Sequence, residues 1–185
     1  RYGLPHLSVE EKEQVRSGTL LARRVAQAAE TLTNAGKPWA IENPKWQQGK
    51  ASIFGLDEYL ALARLPNVTI GHFVQCMMGA KTPKETTVMS HKIDVSSFPS
   101  ACSHPKQWWR FPSSGRWHWG AHPPARGTEW AIPAASWQPR MLRKRPPSGP
   151  FVTKSLAAYP AEMNRRLALL HVRAAKQSVL DALAA

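Results

Sequence analysis

The residues with the most chemical potential in this chain are Trp39-Ala40-Ile41-Glu42-Asn43-Pro44-Lys45-Trp46. A short apolar run ends abruptly in an acid, an amide and a proline. If the run is a strand of a parallel sheet, Glu42 and Asn43 stand at its carboxyl edge. Loops leave the packed layers there, and ligands bind in the crevice between them. Asn43 offers a donor and an acceptor within one small side chain. The same residues also read as an ordinary strand-to-loop turn, where Asn and Pro are common for conformational reasons.

The elements that must position this segment are legible around it. Ser8 with Glu11 makes a capping box, and Leu21, Val25, Ala28 and Leu32 recur at helical spacing, predicting a helix over 8–34 that Gly36 closes. A strand over 38–42 follows, then a helix over 57–65 stopped by Pro66, a strand over 68–75 and a strand over 85–90. Pro160 suits the first turn of a last helix, over 159–184, with Met163, Leu167, Leu170 and Ala174 as its buried stripe. Helix–strand–helix–strand order implies parallel strands with crossover helices, hence an α/β three-layer sandwich with a few parallel strands. Residues 1–100 are the expected α/β core, 101–158 a long irregular region packed on it, and the last helix part of the same domain. No internal repeat, P-loop or Gly-rich dinucleotide fingerprint occurs.

With 185 residues, 43% hydrophobic and 20% charged, the chain suits one ordinary domain rather than a disordered tract. No apolar run is long enough to span a bilayer, and two cysteines cannot make a disulfide framework, which points to an intracellular protein and away from membranes. The chain opens on Arg1, as a piece of a longer protein would. Twenty-five Lys and Arg against 12 acids give a formal charge of +13, which favours polyanionic partners because neutralised phosphates release counterions. The excess is concentrated: residues 101–150 hold eight basic side chains and one acid, with six of the eight Trp and nine of the 16 Pro. Lys106, Arg110 and Arg116 lie among Trp108, Trp109, Trp117 and Trp119, an arrangement that could stack bases beside phosphate-seeking charges. Alternatively, the tryptophans clamp an irregular loop to the domain. Arg143, Lys144 and Arg145 extend the basic run and resemble a nuclear-import cluster, a common chance pattern.

Two weaker constellations remain. Lys84 and Thr86, within Pro83-Lys84-Glu85-Thr86, follow a strand and could reach a phosphate or a base, or simply form a turn entering the next strand. Cys76, His91, Cys102, His104, His118 and His122 include two close pairs, Cys102-x-His104 and His118-x-x-x-His122, but neither pair has a zinc-finger spacing followed by its mate. The expectation is no metal, with Cys102 and His104 the foremost candidate ligands if there is one and Cys76 a small core residue.

The order of Ile41-Glu42-Asn43-Pro44, Gln75-Cys76-Met77-Met78-Gly79, Pro83-Lys84-Glu85-Thr86, Cys102-Ser103-His104 and Tyr159-Pro160 through Asn164, Leu167 and Ala168 resembles a methyltransferase-like domain of phage-type and retroelement-type open reading frames. That family is similar to S-adenosylmethionine-dependent DNA methyltransferases. The resemblance implies a partial Rossmann-like fold, S-adenosylmethionine as cofactor and DNA as substrate. Glu42 and Asn43 would be catalytic, and Pro44, Trp46, Lys84 and Thr86 would hold a base flipped from the helix. Glu42-Asn43 resembles the element by which cytosine-C5 enzymes hold the ring nitrogen. Asn43-Pro44-Lys45-Trp46 resembles instead the element by which amino-methyltransferases bind the target amine and stack the base. The family's cofactor loop would precede Glu42, where this chain has only a long helix, so the segment corresponds to the substrate-side half: the domain is truncated here, is completed by an upstream domain or another chain, or has lost activity. The other reading is a non-catalytic nucleic-acid-binding module of a mobile-element polyprotein.

Overall fold

In the computed structural model, which describes residues 6–47, 51–126, 129–142 and 159–184, the Glu11 N–H donates to Ser8 Oγ and the Ser8 N–H to the Glu11 carboxylate, at 3.2 and 2.8 Å. This reciprocal cap starts α1 (Val9–Asn34). At the other end, Gly36 takes a left-handed conformation (φ 65°) and donates to the Thr33 carbonyl, while Lys37 donates to Leu32. Such a pair of bonds needs the positive φ that glycine adopts without strain. The buried stripe of α1 is Ala22, Ala26 and Ala29, whereas Leu21 is 66% exposed. The helix lies where its apolar period puts it, but the phase is one residue from that expected. Small residues bring α1 close to α2 (Asp57–Leu62), and the buried Tyr59 hydroxyl of α2 donates to the Ala22 carbonyl at 3.0 Å.

Three strands accompany these helices: β1 (Trp39–Pro44), β2 (Val68–Val74) and β3 (Glu85–His91), in the order β1-β3-β2. β1 runs antiparallel to β3, from Trp39 opposite His91 to Pro44 opposite Thr86. Across β2 and β3, Asn67 meets Lys92, Thr69 meets Ser90 and His72 meets Thr87, numbers rising on one strand as they fall on the other. That pair is antiparallel too. No two described strands pair in parallel, so the expected Rossmann-like three-layer sandwich is overturned. The cause lies in β3, which inserts between β1 and β2 instead of adding outside them. Its residues Thr86 to His91 are all buried, as a central strand covered on both faces requires. The polar residues of β1 and β2 occupy the edges.

The chain separates into two compact units. The first holds Arg1–Phe73, Glu85–Phe98 and Arg166–Ala185; the second holds Val74–Lys84 and Pro99–Arg165. The Trp-rich stretch is therefore not an irregular covering but the main body of the second unit, with sheets of its own. β4 (Gln107–Arg110), β5 (Trp117–Gly120) and β8 (Ile132–Pro133) form one in the order β5-β4-β8. β6 (Ala125–Arg126) and β7 (Glu129–Trp130) form the other. Its described prolines sit in loops, at the start of a short 3-10 turn (Pro139) or, like Pro133, on an edge strand, where a missing N–H costs no ladder bond. α3 (Ala161–Ala184) closes the chain, with Met163 and Ala174 buried. Among the described residues no helix is long and apolar enough to cross a membrane.

Candidate nucleic-acid interface and a Cys–His cluster

Glu42 and Asn43 lie inside β1 rather than in a loop beyond it. Neighbours in an extended strand point to opposite faces. Asn43 shares a face with Thr87, and its amide donates to Ser52 Oγ at 3.0 Å. The same hydroxyl caps the 3-10 turn Ile53–Gly55 through the Phe54 N–H. Glu42 lies opposite Val88, on the other face. The acid and the amide do not converge, and Asn43 ties β1 to the following turn. Trp46 packs against the core of Trp39, Phe54 and Tyr59, and its N–H donates to Thr87 Oγ1 at 2.9 Å, so it is no free stacking face. Pro44 is exposed opposite Thr86, which is 1% exposed and unreachable for a base. Lys45 pairs with Glu85 at 2.6 Å. Lys84 belongs to the second unit, where its ammonium lies 4.6 Å above the Tyr159 ring. Within the first unit Asn43 and Pro44 line one cavity with Lys45 and Ser52, but Glu42, Trp46 and Thr86 do not present free faces beside them.

A different surface does present free faces. The β4–β5 register sets Trp108 opposite Trp119 and Arg110 opposite Trp117, placing all four on one face of the hairpin. Trp108 packs edge-on against Trp117 (5.9 Å between centroids) and tilted against Trp119 (5.1 Å). Yet Trp108, Trp117 and Trp119 remain 52%, 53% and 50% exposed. Among the described residues no hydrogen bond engages their indoles. The opposite face carries Trp109, buried with Phe111 and Ala131 and donating from Nε1 to the Gly120 carbonyl at 2.8 Å. Expecting the tryptophans to clamp a loop holds for Trp109 and fails for these three. The missed signal is period-two alternation in Trp108-x-Arg110 and Trp117-x-Trp119.

Arg110 lies between two indoles, 3.4 Å from the Trp137 centroid and 4.6 Å from that of Trp117, and its Nε donates to the Gly115 carbonyl. It stiffens the platform rather than standing free as a phosphate contact. Lys106, Arg116 and Arg140 are exposed. The one acid of residues 101–150, Glu129, is buried and takes the Ser113 N–H and hydroxyl. Cations alone are therefore left at this unit's tryptophan-bearing stretch. Arg143, Lys144 and Arg145 lie outside the described residues.

Among the described residues, one group of His and Cys side chains converges. Cys76 Sγ, Cys102 Sγ and one ring nitrogen each from His104 and His122 all lie within 4.8 Å of one another. Cys102 Sγ is 3.4 Å from His104 Nδ1 and 3.2 Å from His122 Nε2. The His104 and His122 rings meet edge-on at 4.9 Å. The far nitrogen of His122, Nδ1, contacts the Lys81 carbonyl at 3.1 Å. Burial and the bond to Cys102 push the Cys76 thiol up to about 11. Burial, followed by the neighbouring His104, lowers the His122 imidazole. Sequence spacing favoured Cys102 and His104. Cys76, read as a core residue, and His122, paired by spacing with His118, join them only through the fold, because the set comes from three segments far apart in the chain. His91 is no ligand: its Nδ1 meets the Lys37 carbonyl and its ring stacks on Trp39. Compared with protein-family models, with curated proteins and with solved structures, the chain matches none of them.

Proposed function

We propose that the second unit binds single-stranded nucleic acid, with Trp108, Trp117 and Trp119 as the base-stacking platform and Lys106, Arg116 and Arg140 as cations for the backbone. The observation that carries this is the platform itself: three adjoining indoles left half-exposed on one sheet face, in a stretch whose single acid is internally bonded. Leaving that much aromatic surface in water is unfavourable unless a partner covers it. A planar, sequence-tolerant partner is a base, and stacking contributes about 1–3 kcal/mol per base. Methyl transfer is the less supported reading, because the described strands form no parallel sheet and so no crevice at its carboxyl edge, where the expected site would lie.

The test is a fluorescence titration of the full chain with oligothymidylate at several salt concentrations. Binding should quench tryptophan emission and weaken with salt at a log–log slope of about −2 for three phosphates contacted. Affinity indifferent to salt, or binding without quenching, would remove the proposal. Heat on titrating S-adenosylmethionine into the chain would instead restore the methyltransferase reading.

A further inference from the structure

We infer that Cys76, Cys102, His104 and His122 form a tetrahedral Zn2+ site that orders the loops of the second unit. Two thiolates and two imidazoles are the donor set that selects zinc among common divalent cations. Zn–S bonds of about 2.3 Å and Zn–N bonds of about 2.0 Å set the S–N edges of the tetrahedron at about 3.5 Å. The two Cys102-to-imidazole separations, 3.4 and 3.2 Å, lie close to that edge. The remaining pairs fall within 4.8 Å, so small side-chain rotations bring all four donors onto one ion.

The surroundings fit as well. A ligating histidine typically donates its other N–H to a carbonyl or carboxylate, which fixes the ring and its tautomer. His122 Nδ1 has the Lys81 carbonyl at 3.1 Å, so Nε2 is the atom that faces Cys102. Cys76 sits in a 3-10 turn (Gln75–Met78) that ends at Gly79 with φ 98°, Cys102 and His104 lie in irregular chain before β4, and His122 follows β5. Local strand pairing does not hold these three segments together. The strands of this unit are two to four residues long, and small units commonly rely on a metal or a disulfide for order. Four protein donors leave no position for water or substrate, so the site is structural rather than catalytic.

The test uses the full chain purified under reducing conditions. Metal analysis should return one Zn2+ per chain. Replacement by Co2+ should give the visible absorption of a tetrahedral site together with thiolate-to-metal charge transfer. His104 is exposed, so His104→Ala leaves the core intact while removing a ligand. It should weaken Co2+ binding at least tenfold, and Cys102→Ser, which leaves only the Cys76 thiolate, should at least halve the charge-transfer band. Chelation should lower the melting temperature of the wild type and leave that of Cys102→Ser unchanged. A chain that stays metal-free at micromolar Zn2+ overturns the site. So does a Co2+ spectrum lacking thiolate bands, or a native mass two hydrogens light showing a Cys76–Cys102 disulfide.

Discussion

Trp108 and Trp109 are chain neighbours with opposite fates, and exchanging each for alanine separates binding from stability. Trp109 is 8% exposed. A tryptophan buries up to about 250 Å², so at about 25 cal/mol per Å² its burial is worth about 6 kcal/mol at most. The compact unfolded chain and the alanine's own burial bring the expected loss for Trp109→Ala to about 3–5 kcal/mol. The Nε1 bond to Gly120 goes as well. Trp108 is 52% exposed, so Trp108→Ala forfeits about half as much burial and costs about 2 kcal/mol. Affinity should change in the reverse order. Loss of one stacking face costs about 1–3 kcal/mol, a drop of about 5- to 150-fold for oligothymidylate with Trp108→Ala. Trp109→Ala should bind normally once affinity is expressed per folded molecule. Urea unfolding gives the stabilities, and anisotropy with a labelled oligonucleotide gives the affinities. If Trp108→Ala unfolds as readily as Trp109→Ala, or binds as tightly as the wild type, the alternation argument is wrong.

The first unit offers sharper tests of packing. At Gly71 an added Cβ would collide with Val95 Cγ2, so Gly71→Ala should destabilise by about 1–3 kcal/mol, and adding Val95→Ala should restore part of it in thermal melts. Ser8→Ala removes the α1 cap and should cost about 1 kcal/mol without altering oligonucleotide affinity, read by urea titration and anisotropy. Burial, and then the adjacent Glu58, hold the Tyr59 phenol above its ordinary value of 10.0. The unfolded chain therefore loses that proton first, and stability falls as pH rises past about 10. Tyr59→Phe should cost about 1 kcal/mol at neutral pH, from the lost bond to Ala22, and show a flatter alkaline decline in stability measured by circular dichroism.

Local rules located most of the elements because their causes are local. A capping box, a C-terminal glycine and a helical period are written in neighbouring residues, and α1 follows from them. What they could not supply is which strand stands in the middle. β3 reads Glu-Thr-Thr-Val-Met-Ser-His, polar enough for an edge, yet its threonines, serine and histidine are buried. Polar atoms of Thr87 and Ser90 are matched across the sheet, Thr87 with His72 and the Trp46 backbone N–H, and Ser90 with Thr69. Those partners are distant in sequence, and pairing of that kind leaves no periodic trace. The Glu42-Asn43 expectation failed for the same reason. A strand end and a strand interior differ by what pairs with them, and β3 pairs with β1 as far as Pro44. The Cys–His cluster was half legible: Cys102 and His104 are two residues apart, whereas Cys76 and His122 reach them only through the fold.

The second unit shows how a chain with many prolines can still hold a rigid surface. Its strands are two to four residues long, too short for backbone ladders to order it alone. Side chains take over that task by bonding to backbone carbonyls and amides. The indoles of Trp109 and Trp137 donate to Gly120 and Pro112, the guanidinium of Arg110 to Gly115, and Glu129 receives Ser113. None of these bonds uses the indoles of Trp108, Trp117 or Trp119. If tryptophan had been retained only for its bulk, as loop ballast, the exposed indoles would be expected to find carbonyls as the buried ones do. They form instead a continuous face, backed by a strand whose opposite side is pinned. A stacking surface needs that arrangement, because a base gains stacking energy only from rings that are ordered before it arrives.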